Sequence, residues 1–181
     1  MQRVFIGIPV DKRAQQQIDE LLNPLKSSIQ AVRWVPVQNR HLTLAFLGTR
    51  PASVIEKLTR SMDQAYQQET FFETGPANLK RFPGPSGNII ALVFKVDARL
   101  ARLFQVTQEY LLGYDFDFKR TRFRPHITLG RMGTSPRLIK DINQQTDIKL
   151  QIGRIAFYQS TLTPSGSVYL ALKETGLGNA G

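Results

Sequence analysis

Cysteine is absent from this 181-residue chain, and histidine occurs only twice, at His41 and His126. Without thiols there is neither a disulfide framework nor a thiolate metal site, and two imidazoles alone make a poor cage for zinc. No metal and no other cofactor is expected. Long apolar runs are missing too. Nothing approaches the roughly 20 residues of a membrane span, and the apolar start at residues 5–10 is too short for a secretion signal. A cytoplasmic protein with no membrane partner is expected. Acidic residues are scarce, 14 against 24 Lys and Arg, which leaves a net charge of +10. Such an excess suits a polyanion, most simply nucleic acid, although a solubilising surface would look the same.

What is present is an apolar content of 41%, enough to build one compact domain or two small lobes sharing an interface. Hydrophobic spacing alternates strands with helices. Residues 4–9 read as a strand. Asp11 suits the cap of a helix carrying Ala14, Ile18, Leu21, Leu22 and Leu25, which Pro24 is expected to kink or end. Residues 32–37 and 41–47 read as strands. A second amphipathic helix carries Val54, Ile55, Leu58, Met62, Ala65 and Tyr66, entered through Thr49 and Pro51, and residues 83–88 read as a turn or mobile loop.

The second half repeats this order with a strand at 89–96, a helix from Asp97 to about Leu112, a strand at 120–130 and a short helix after Ser135. Displacing the first half by 85 positions lays His41 on His126, Thr43 on Thr128, Leu44 on Leu129, Thr49 on Thr134, Pro51 on Pro136 and Val4 on Ile89. Residues 149–161 and 168–173 read as further strands, and 176–181 as a loose tail. The repeat predicts a single domain over residues 1–181 made of two pseudo-symmetric lobes, with matching motifs at 41–44 and 126–129.

Those motifs, His41-Leu42-Thr43-Leu44 and His126-Ile127-Thr128-Leu129, use every histidine in the chain. On a strand, residues two apart share a face, so each imidazole stands beside a threonine hydroxyl while the apolar partners point into a core. Facing lobes would place two imidazoles on opposite sides of one small anion, with the hydroxyls on its non-bridging oxygens. Imidazole titrates near pH 6.5, so one ring can take a proton while the other gives one, as in-line displacement at phosphorus requires. A lone strand histidine more often satisfies a local hydrogen bond. Two with matching sequels at the repeat spacing favour catalysis.

In these residues the chain resembles the 2H phosphoesterase superfamily, in its 2′-5′ RNA ligase-like or RNA 2′,3′-cyclic phosphodiesterase branch. Arg33-Trp34-Val35-Pro36 leading to the run from His41 to Gly48 looks like the first family motif, and the run from Pro125 to Arg131 looks like the second. The resemblance implies an α+β, bilobal duplicated fold with two antiparallel sheets lining a central cleft and helices outside. It implies metal-independent hydrolysis of an RNA 2′,3′-cyclic phosphate end to a 2′-phosphate, with His41 as proton donor to the 3′ oxygen and His126 as proton acceptor from water. It also marks Arg131 as a phosphate ligand and Phe46 as a base-stacking residue.

Strand parity places Arg131 and Phe46 at odd offsets from their histidines, so each reaches the cleft only where its strand bulges or ends first; Gly130 offers such an ending. Parity instead aligns Arg120, Arg122 and Arg124 with His126 if the strand continues through Pro125, giving a cationic ramp along which Arg124 would touch substrate. A charged strand edge that discourages aggregation would look the same. Trp34 and Tyr158 are aromatic candidates for stacking, and Ser160 a weak one for the cleft. Besides cyclic phosphodiesterase, two readings stand: a 2′-5′ RNA ligase running the chemistry backwards, and a non-catalytic RNA-binding module. The expected partner is RNA or a nucleotide with a 2′,3′-cyclic phosphate, and the chain is expected to act as a monomer.

Overall fold

The computed structural model describes residues 1–30, 32–84, 87–114, 123–132, 142–164 and 166–179. In chain order the elements are β1 (Gln2–Pro9), α1 (Lys12–Ser28), β2 (Val32–Trp34), a 3-10 turn (Val37–Asn39), β3 (His41–Arg50), α2 (Ala52–Ala65), β4 (Phe72–Thr74), β5 (Asn78–Gly84), β6 (Gly87–Val93), α3 (Ala98–Leu112), β7 (His126–Met132), β8 (Asn143–Gln145), β9 (Leu150–Ile152), β10 (Arg154–Thr163) and β11 (Gly166–Gly176). Asp11 and Asp97 start α1 and α3 by accepting from the backbone N–H of Ala14 at 3.0 Å and of Leu100 at 2.8 Å. At α2 the cap position is Pro51, with no side-chain cap, while Thr49 remains in β3.

Several sequence expectations are corrected. Pro24 does not end α1: its ring is exposed, Leu25 beyond it packs on the core, and the helix runs on to Ser28. The strand expected at 32–37 stops at Trp34, because Pro36 leads into the 3-10 turn. The strand expected at 149–161 is divided at Gly153 into β9 and β10, which join different sheets. The chain after Gly176 is tied down, since Leu177 N–H donates to Gly153 O and Gly178 N–H to Glu69 O. β7 begins at His126, not at residue 120; Phe123, Arg124 and Pro125 precede it outside any strand. Arg120, Arg122, Thr134, Pro136, the helix expected after Ser135, and residues 85–86 of the expected turn lie outside the described residues.

Nine strands form one antiparallel sheet in the order β11-β10-β1-β3-β7-β6-β5-β8, with β2 added beside β7, and β4 pairs with β9 in a small second sheet. This is the expected α+β architecture, and the large sheet is itself in two halves. β3 and β7 are joined only through Leu42↔Ile127. Those two residues coincide under the 85-residue shift. The core collects Ala14, Ile18 and Leu22 of α1, Ile55, Leu58 and Met62 of α2, and Leu100, Leu103 and Leu111 of α3 against Leu42, Leu44, Ile127 and Leu129. Each of these leucine, isoleucine and methionine side chains contributes about 1.5–3 kcal/mol through burial. The helices therefore hold the core face of the two motif strands, and His41, Thr43, His126 and Thr128 take the other face.

Candidate active site

The two motif strands carry the same irregularity. Along β1, Ile6 pairs with Ala45 and Gly7 with Thr43, which leaves Leu44 as an extra residue in β3. Along β6, Ile90 pairs with Gly130 and Ala91 with Thr128, leaving Leu129 extra in β7. Leu44 and Leu129 are repeat partners, and both stay in the core. A one-residue bulge reverses side-chain parity beyond it. Phe46 and Arg131 thereby move onto the face of the histidines, where simple alternation had put them in the core. β7 continues past Gly130 to Met132, so a bulge, and not a strand end, delivers Arg131.

At the seam, extending the Leu42↔Ile127 register by one residue on either side sets His41 opposite Thr128 and Thr43 opposite His126. All four side chains line one cavity of about 610 Å³. Arg3, Arg33 and Arg131 line it too, along with Phe5, Trp34, Asn39, Phe46, Ser160, Ser167 and Tyr169, and no Asp or Glu is among its described lining residues. None of the three arginines forms an ion pair with a described carboxylate. A cleft with this lining attracts an anion that carries an aromatic or sugar body. Among the described residues no group of three or more His, Cys, Asp and Glu side chains is placed to hold a metal ion, and no helix is long and apolar enough to cross a membrane.

Each histidine is held from behind by a carbonyl two residues earlier. His41 Nδ1 lies 2.7 Å from Asn39 O and His126 Nδ1 lies 2.8 Å from Arg124 O. A carbonyl only accepts, so Nδ1–H donates and Nε2 is left as the basic nitrogen of each neutral ring. Asn39 is fixed in turn, its side-chain amide donating to Ser167 O at 2.7 Å on the β10–β11 hairpin. Around His41 stand Phe5 at 4.6 Å, Tyr169 edge-on at 5.2 Å and Tyr158 at 5.9 Å between ring centroids. Burial in that aromatic nest is the main reason the His41 pKa falls from 6.5 to about 4; the Asn39 carbonyl opposes the fall, and His126 and Arg131 add to it.

Of the residues singled out in the sequence, His41, Thr43, Phe46, His126, Thr128, Arg131, Trp34 and Ser160 line the cavity. Tyr158 does not; it stacks on Phe5 at 4.9 Å behind His41. Arg124 does not line this cavity; its carbonyl holds His126, and the residue lines an adjoining pocket with Lys80, Phe123, Pro125 and His126 itself. β7 starts at His126, so the alternation expected to align Arg124 with His126 does not extend through Pro125. Arg3, Phe5, Arg33, Asn39 and Tyr169 were missed. Alternation along β1 could have found Arg3 and Phe5, since Val4, Ile6 and Ile8 claim its core face.

Comparison with known proteins places this geometry in context. A sequence model of the family described as the 2′-5′ RNA ligase superfamily matches residues 10–163. A Thermotoga maritima protein named RNA 2′,3′-cyclic phosphodiesterase is 32% identical over 180 residues, covering 95% of this chain and 94% of that relative. Among solved structures, TT0787 of Thermus thermophilus superposes with a TM-score of 0.81 at 20% identity, covering 99% of this chain and 100% of that one. E. coli LigT, solved in complex with 3′-AMP, gives 0.76 at 23% identity, covering 98% and 99%. At these identities the two structures speak to the fold alone.

Proposed function

The chain belongs to the 2′-5′ RNA ligase superfamily, and on that premise we propose that it is an RNA 2′,3′-cyclic phosphodiesterase that opens the ring to a 2′-phosphate by acid–base catalysis between His41 and His126. The observation that carries this reading is the seam: the two repeated His-x-Thr motifs abut at Leu42↔Ile127 and turn their four polar side chains into one cationic cavity. We read the two halves of the sheet as two pseudo-symmetric lobes of a single domain, with the reacting phosphate on their axis. The name of the Thermotoga relative points to the same substrate.

In this reading a cyclic phosphate lies between the imidazoles with its non-bridging oxygens on Thr43 and Thr128. His126 Nε2 takes a proton from water as the new P–O bond forms. The P–O3′ bond breaks, and His41 gives its proton to O3′. Burial keeps His41 neutral in the empty cleft at pH 7. The incoming phosphate brings a negative charge next to it, which favours its protonated form and readies it as the acid. Arg131 offsets charge on the phosphate oxygens. A non-catalytic binding module would have no use for two imidazoles held alike by Asn39 O and Arg124 O. The test is incubation with an RNA ending in a 2′,3′-cyclic phosphate. A 2′-phosphate product, lost in both His41→Ala and His126→Ala, is expected; a 3′-phosphate, or turnover surviving either substitution, would overturn the assignment.

A further inference from the structure

We infer that Arg33 binds the phosphodiester on the 5′ side of the terminal nucleotide, so that the preferred substrate is the end of an RNA strand and not a cyclic mononucleotide. This rests on the reading above and extends it from the reacting phosphate to the next one along the chain.

The placement starts at Gly130. A Cβ there would meet Val32 Cγ1 at 2.5 Å and Trp34 Cε3 at 3.1 Å, so the missing side chain is what lets β2 lie against β7. The register of β2 on β7 sets Arg33 directly opposite Arg131. Directly opposed like charges destabilise a strand pair, and here no described carboxylate offsets them. Two guanidinium groups side by side on a cavity wall are a site for anionic charge beyond what one phosphate monoanion supplies.

The two arginines stand at different depths. Arg131 is half-buried and its charge is felt at His41, which puts it by the reacting phosphate. Arg33 is exposed, on the strand that joins the same edge of β7 as β3 does, with Trp34, Val35 and Pro36 continuing the wall beside it. Across the axis, the position equivalent to Arg131 is Phe46, 68% exposed, with Tyr169 and Phe5 on the same side of the cavity. Arg3 lines the cavity near Phe5, and Trp34 lines it beside Arg33; what the β7 side alone has is the opposed arginine pair. A terminal nucleotide with its base on Phe46 and its cyclic phosphate by Arg131 leaves Arg33 for the phosphate on its 5′ side.

The test compares a 2′,3′-cyclic nucleoside phosphate bearing a 5′-hydroxyl with the same unit at the end of a dinucleotide, for wild type, Arg33→Gln and Arg131→Gln. Arg33→Gln is expected to lower kcat/KM about tenfold on the dinucleotide and less than about twofold on the cyclic nucleoside. It should also flatten the salt dependence for the dinucleotide by about 0.7 in log–log slope, one phosphate contact's worth on a single strand. Arg131→Gln should harm both substrates. Equal loss on both substrates with Arg33→Gln, or loss on neither, overturns the inference. Failure of wild type to turn over either substrate would instead sink the proposed function. The assignment of Arg33 is then read from binding of a nucleoside 2′-phosphate and of a dinucleotide ending in a 2′-phosphate, where the substitution must weaken only the second.

Discussion

Lowering the pH should destabilise this protein in a window that belongs to His41. In the unfolded chain the ring titrates near 6.5; in the folded chain burial against Phe5, Tyr158 and Tyr169 holds it to about 4. Between those values the unfolded state binds more protons than the folded one, so stability falls as pH drops through 6.5 and levels off below about 4. The full separation corresponds to about 3 kcal/mol at 1.36 kcal/mol per unit, and at pH 5 about 2 kcal/mol of it is already lost. Solvent reaching part of the half-buried ring reduces both figures.

The assay is urea unfolding of wild type and His41→Gln at pH 7.5, 6, 5 and 4. Gln removes the titration while keeping a polar group against the Asn39 carbonyl. The expected result is a wild-type stability that falls by about 1–2 kcal/mol more than the variant's between pH 7.5 and 5, an order-of-magnitude figure from the linkage above. Other groups drop out of the difference. Asp63, whose pKa is lowered by hydrogen bonds from Lys173 and Thr175, loses its contribution only as pH falls below the ordinary carboxylate range, and it does so in both proteins. Parallel curves for the two proteins would show that the aromatic nest does not hold His41 neutral, and would remove the reason given for its readiness to be charged by an incoming phosphate.

Gly130→Ala should destabilise the fold by about 1–3 kcal/mol, the usual range for overpacking, and lower activity by displacing β2; a thermal melt and a turnover assay read both, and an unchanged melting temperature would mean β2 is not seated as described. Thr43→Ala and Thr128→Ala should each reduce kcat less than either histidine substitution, because a hydroxyl can donate to a phosphate oxygen but moves no proton at neutral pH. Equal damage from all four, in folded protein, would contradict that division of roles. Turnover should persist in excess chelator if, as proposed, two imidazoles carry both proton transfers; loss restored by a divalent ion would transfer part of the chemistry to a metal.

Much of the site was legible in the sequence because it is repeated. The displacement that lays His41 on His126 also lays Thr43 on Thr128, and in the structure the same displacement relates the two residues at the seam. Alternation then assigned Leu42, Leu44, Ile127 and Leu129 to the core correctly. It failed for Phe46 and Arg131 because a bulge is a property of the pairing between two strands, and neither β3 nor β7 announces in its own residues which position its neighbour will skip. It failed for Arg33 for a related reason. Three residues of β2 carry no periodicity long enough to read, and their partner is β7, nearly a hundred positions away in the chain. Pro24 misled in the other direction: its local penalty was read correctly, but tertiary packing of Leu25 carried the helix past it.

The repeat also shows how a symmetric frame can act on an asymmetric substrate. Both motifs carry the same imidazole, hydroxyl, bulge and carbonyl behind the ring. Their surroundings differ at the position just beyond the bulge, which is Phe46 on one side and Arg131 on the other. A perfectly two-fold site would accept a ribose phosphate in either orientation and release either oxygen, because acid and base would be interchangeable. On the reading proposed above, Phe46 beside one motif and Arg131 beside the other decide which end of the nucleotide faces which histidine, so one ring oxygen is brought into line with water and the other is not. On that reading the direction of ring opening depends on the residues that break the symmetry, and the capacity to open the ring at all on the residues that keep it.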